Sequence, residues 1–126
     1  MAAYGQSNPR YIRFAGVPSA VKGALFTPDA PQKPPHVAIL VMHRASNFLN
    51  ALACPELSKR GLMVLCMNPR SDNNEALVRW ETIPIDVKAG VEFLKKQAGI
   101  SKIILWGFSG GGPTMTFYQN IAENGV

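Results

Sequence analysis

Histidine is scarce in this 126-residue chain: there are two, His36 and His43, and both lie in the first half. Cysteine is equally scarce. Cys54 and Cys66 are too few for the disulfide framework of a small secreted domain, and neither belongs to a C-x-x-C pair, so a zinc site is not indicated. No apolar run approaches a membrane span, the longest aliphatic stretch being Val37–Met42, and Met1 to Arg10 has no apolar leader. These features predict a soluble, cytoplasmic protein without a membrane partner. There is no run of basic residues either. The formal charge is +5 and the pI near 9.5, but the lysines and arginines are scattered in ones and twos without interleaved aromatics, so a nucleic-acid partner is not expected. What remains is 47% apolar and 17% charged, enough to build one folded domain.

Proline and glycine divide the chain into alternating pieces. Tyr11–Phe14 and Val21–Phe26 read as strands around the turn Gly16-Val17-Pro18-Ser19, an opening hairpin within 10–27. A proline-rich surface loop, Pro28 to Pro35, follows. Three apolar segments, Val37–Met42, Leu62–Met67 and Lys102–Trp106, read as strands, Val37–Met42 as one covered on both faces. Phe48–Arg60 reads as a helix with Pro55 in its first turn and Gly61 as a left-handed C-terminal cap. From Asp86, the placed N-cap, Val87, Val91, Leu94 and Ala98 form one helix face ending near Gly99. Arg70–Thr82 shows no period, and Thr114–Glu123 is compatible with a helix. Strands alternating with helices over 36–126 predict βαβ units, an α/β fold with a mainly parallel sheet and helices on both faces. The apolar strand at Ile103–Trp106 would then be a sheet edge calling for a cover, and the chain reads as the first half of a larger sheet.

The third strand runs straight into Gly107-Phe108-Ser109-Gly110-Gly111, a G-x-S-x-G pattern between a strand and a helix. The chemistry needs a tight turn that pushes the hydroxyl outward, with glycines where a Cβ would clash. The following helix directs free N–H groups, Gly110 first, toward a developing oxyanion.

On these residues the chain resembles the N-terminal half of an α/β-hydrolase, of the esterase and dienelactone-hydrolase kind. The resemblance covers residues 1–126, with the nucleophile elbow at 107–111. It implies Ser109 as nucleophile, Gly110 N–H as one oxyanion donor and Ala45 N–H, after the His43-Arg44 pair, as the second. Arg44 stands where the family commonly has glycine, and Phe108 where histidine is common; both are expected to line the substrate site, Arg44 by meeting a substrate carboxylate or else as a surface residue. The implied reaction is hydrolysis of a small-molecule carboxylic ester through an acyl-enzyme, without a cofactor or a metal. The family's order is Ser, then Asp or Glu, then His. After Ser109 this chain has no histidine and one acid, Glu123. The acid and base are therefore expected from a C-terminal half present as a following segment or a second chain, a heterodimer, with Val126 at a nick or processing site in the exposed Glu123–Val126 stretch.

Two other functions compete. An inactive binding module of the same fold fits the missing base. Phosphate or nucleotide binding fits a glycine-rich turn before a helix, although neither G-x-G-x-x-G nor a following lysine is present. His43 reads as a structural hydrogen-bonding residue, Cys66 as a small buried hydrophobe, and Trp80 and Trp106 as core or cap residues. Asp72 is left open as an acid.

Overall fold

A computed structural model describes residues 9–28, 34–71 and 74–124. Its five strands are β1 (Arg10–Arg13), β2 (Lys22–Phe26), β3 (Val37–Met42), β4 (Met63–Asn68) and β5 (Lys102–Trp106). They form one sheet in the order β1-β2-β4-β3-β5. β1 and β2 make the expected hairpin, and β2 pairs antiparallel with β4. β3 lies parallel to both β4 and β5, so the βαβ half of the sheet is parallel and the hairpin extends it antiparallel. Among the described residues no helix is long and apolar enough to cross a membrane.

β3 and β4 are buried on both faces because helices cover both, whereas β5 is a sheet edge with Ile104 and Trp106 exposed. Leu40, Met42, Leu65 and Met67 face α2 (Ile83–Lys95), which supplies Ile83, Val87, Val91 and Leu94, and α3 (Gly111–Asn124), which supplies Met115. The alternate residues Ile39, Val41, Val64 and Cys66 face α1 (Ala53–Ser58), with Cys54, Leu57 and Phe48. Each buried leucine or valine contributes about 1.5–3 kcal/mol, so β3 and β4 carry much of the stability.

Several expectations need correction. The helix read over Phe48–Arg60 forms only at Ala53–Ser58. Pro55 has no N–H to bond Ala51, whose carbonyl instead takes Cys54 N–H in a turn, and the Phe48 N–H is captured by Asn68 Oδ1 at 2.8 Å. Gly61 does adopt the left-handed conformation, at φ 91°. α2 starts three residues before Asp86, with Thr82 at its N-cap, and it ends before Ala98, which is exposed. The Arg70–Thr82 stretch contains a short 3-10 turn at Glu75–Leu77, capped by the Asn74 side chain, which accepts from Ala76 N–H. Cys66 is buried, but not as a free thiol: it forms a disulfide with Cys54, Cα atoms 6.3 Å apart, tying α1 to β4. Neither tryptophan is in the core; Trp80 is 41% and Trp106 38% exposed. Asp72 and residues 125–126 lie outside the described residues.

Asp86 does not cap α2. It is almost fully buried and receives Arg70, with Nη2 to Oδ1 at 2.7 Å and Nε to both oxygens, while Arg70 N–H donates to Oδ2 at 3.0 Å. This bidentate pair fixes the chain leaving β4 onto the first turn of α2, and the carboxylate raises the Arg70 pKa above its ordinary value. Asp86→Ala leaves the partly exposed Arg70 without its carboxylate partner. It is expected to cost about 2–3 kcal/mol in urea unfolding, less than a fully buried pair because Arg70 keeps some water contact.

Candidate active site

Ser109 follows β5 at the turn that starts α3. It is exposed and adopts φ 54°, the only non-glycine residue with positive φ among the described residues. Such backbone costs of order 1–3 kcal/mol for a non-glycine residue and persists only where its surroundings over-determine it. Here they do. Gly111 N–H donates to Phe108 O at 2.9 Å and Gly112 N–H to Ser109 O at 3.0 Å, closing the turn. A Cβ on Gly107 would lie 2.5 Å from Gly111 O, and one on Gly111 would lie 2.8 Å from Met42 O, so the elbow is pressed against itself and against the end of β3.

The Gly110 carbonyl is clamped from two sides, by Thr114 Oγ1 at 3.0 Å and by Arg44 Nη1 at 3.1 Å. Its N–H has no partner among the described residues. Phe108 is 67% exposed beside Ser109.

The loop after β3 faces this turn. His43 is buried, its ring 5.5 Å from that of Phe48, and its Nδ1 accepts two backbone N–H groups, Ala45 and Ser46, each at 3.0 Å. With Nδ1 an acceptor, the neutral ring carries its proton on Nε2, which lies against Gly110: a Cβ there would collide with Nε2 and with Arg44 Nη1. Ser71 Oγ donates to Arg44 O at 2.8 Å and further fixes the loop. Ala45 N–H, expected as an oxyanion donor, is thus directed at His43 Nδ1. A hollow of about 290 Å³ adjoins the loop, lined by His43, Ala45, Ser46 and Glu75.

Arg44 reaches past Gly110 to Glu75, Nη2 to Oε1 at 2.5 Å, and its guanidinium lies 6.0 Å from the Trp80 ring centre. Trp80 in turn meets Phe117 of α3 edge-to-face at 5.6 Å. The expected residues Ser109, Gly110, Ala45, Arg44 and Phe108 therefore gather at the C-terminal ends of β3 and β5. Glu75, Trp80 and Thr114 join them without a sequence motif; only the position of Thr114 one turn beyond Gly110 is a local signal. His36 is at the opposite end of β3, where its carbonyl accepts Ser101 and Lys102 N–H groups. Among the described residues no three His, Cys, Asp or Glu side chains are grouped to hold a metal.

No family model matches the chain, and neither does any curated protein in sequence. Solved structures do match. The esterase Est22 aligns with a TM-score of 0.71 at 17% identity, covering 98% of this chain and 42% of Est22. Est1E from Butyrivibrio proteoclasticus aligns at 0.64 and 19%, covering 94% and 47% respectively. A puromycin-hydrolyzing peptidase of Mycobacterium tuberculosis aligns at 0.64 and 21%, covering 92% of this chain and 21% of the peptidase. The chain thus spans less than half the length of these proteins, and its fold is that of an N-terminal-like part of α/β-hydrolase structures.

Burial, reinforced by the neighbouring Arg44 and opposed by Glu75, lowers the His43 pKa from its ordinary 6.5. The folded protein then binds its proton less readily than the unfolded chain does. The stability due to this residue is full above 6.5 and declines as pH falls toward the lowered folded value. Urea unfolding across this range should show the loss in wild type and a smaller one in His43→Asn, whose amide oxygen accepts the same N–H groups without titrating.

Proposed function

We propose that this chain is the nucleophile-bearing part of a serine hydrolase that cleaves a small-molecule carboxylic ester. The observation that carries this reading is the positive φ of exposed Ser109, a strained conformation held at a strand-to-helix turn. Ser109 Oγ attacks the ester carbonyl and forms an acyl-enzyme as the alcohol leaves; water then releases the acid. Gly110 N–H, free of internal partners, donates to the oxyanion. Ala45 N–H joins it by sharing its proton with His43 Nδ1, which still has Ser46 N–H. Phe108 and Arg44 flank the entering substrate.

Neither histidine of this chain suits the part of general base. His36 is at the wrong end of the sheet, and His43 presents one nitrogen to the loop and a protonated one to Gly110. We therefore assign the acid and histidine to a C-terminal half, as a following segment or a second chain, that adds strands beside β5. Supporting this, β5 is a sheet edge with Ile104 44% and Trp106 38% exposed. Beside it is a groove of about 490 Å³ lined by Ile103, Leu105 and Met115 together with polar residues of α3. The Cys54–Cys66 disulfide favours an oxidising compartment over the cytoplasm expected from the sequence.

The missing base equally suits an inactive binding module, and one experiment separates the two. Protein isolated with any polypeptide that accompanies it is treated with a fluorophosphonate probe and analysed by mass spectrometry. Labelling is expected at Ser109 and should vanish in Ser109→Ala. An intact, folded preparation that takes no label at Ser109 contradicts the hydrolase and leaves the binding module.

A further inference from the structure

We propose that Arg44 is a carboxylate-reading residue, and that the favoured substrate is a half-ester of a short dicarboxylic acid, its free carboxylate replacing that of Glu75 on the Arg44 guanidinium. The inference rests on Ser109 as nucleophile and specifies what that serine is offered. Arg44 is placed within one residue of Ser109 by the bond from Nη1 to Gly110 O, and the Trp80 ring beside it restricts its plane. A guanidinium presents five donors in a rigid fork that matches a carboxylate. That fork already holds one, because Glu75 Oε1 sits on Nη2.

The supports differ in how readily they exchange. The Gly110 carbonyl is part of the elbow and cannot leave. Glu75 is 58% exposed on a 3-10 turn, and an exposed ion pair of this kind contributes little stability, so another carboxylate can take its place at small cost. Arg44, 26% exposed, keeps its Nη1 bond to Gly110 O when Glu75 is displaced, and Nη2 is then free for a ligand carboxylate. Glu75 also lines the hollow beside His43, Ala45 and Ser46, so its displacement frees space next to the second proposed oxyanion donor. Arg44 Nη1 is bonded to the carbonyl of the residue next to Ser109, so a carboxylate on this guanidinium lies close to the serine and calls for a short spacer before the scissile carbonyl.

The test uses Ser109→Ala to prevent turnover and follows the Gly110 amide and Trp80 indole signals by NMR while titrating monomethyl succinate or the neutral methyl pentanoate. The expected result is at least about tenfold tighter binding of the anion, as for a charge-assisted pair. The preference should be lost in R44M and enlarged severalfold in E75Q, where the internal competitor is gone. E75Q retains the Gly110 bond, so its gain does not depend on how R44M folds. Equal binding of the two esters, binding of neither, or an unchanged preference in E75Q overturns the proposal. Fluorophosphonate labelling of the serine-containing protein is scored separately: labelling without anion preference removes only the carboxylate site, whereas anion preference without labelling keeps Arg44 as a carboxylate site but overturns the hydrolase reading and, with it, the half-ester as substrate.

Discussion

The structure depends on how closely the turn at 107–112 is pressed against the end of β3. No side chain fits at Gly107 or Gly111 without striking backbone, Gly111's own carbonyl in one case and that of Met42 in the other. That contact leaves Ser109 in a left-handed conformation at the surface. It also brings Gly110 under the loop that begins at His43, so one steric constraint sets the exposed Ser109, a free N–H and the facing loop together. The energy to hold such a strained residue comes from elsewhere in the fold. β3 and β4 are buried on both faces between α1 and the α2/α3 layer, a rigid base from which β5 and the turn project.

Electrostatics complete the arrangement. The guanidinium of Arg44 crosses the gap between the His43 loop and the elbow, bonding Gly110 O and pairing with Glu75. Its charge lies near His43 and helps hold that ring neutral, which keeps Nδ1 available to Ala45 and Ser46 N–H. A glycine at position 44 could do none of this. The departure from the α/β-hydrolase pattern therefore accounts for much of the local chemistry.

Much of this was legible in the amino-acid order. Val37–Met42 coincides with β3 because an unbroken apolar segment of that length suits a strand covered on both faces, and Lys102–Trp106 coincides with β5, although as an edge strand it leaves Ile104 and Trp106 exposed. The elbow was readable because its glycines answer a local steric demand. Features set by distant partners were not. Asp86 carries every local mark of an N-cap, and only the fold reveals Arg70 sixteen positions earlier as its partner. Pro55 marked a helical first turn, but the early end of helical order before Ala53 depends on Asn68 across the sheet. The Cys54–Cys66 bridge and the Glu75–Arg44–Trp80–Phe117 chain of contacts join segments whose spacing has no period to read.

The most direct measurement of the central claim is a crystal structure of the protein carrying a phosphonyl group on Ser109. The account predicts Ser109 still at positive φ, with the phosphonyl oxygen within hydrogen-bonding distance of Gly110 N–H and facing the His43–Ser46 loop. A relaxed, extended Ser109, or an oxygen turned to solvent away from Gly110, would contradict it.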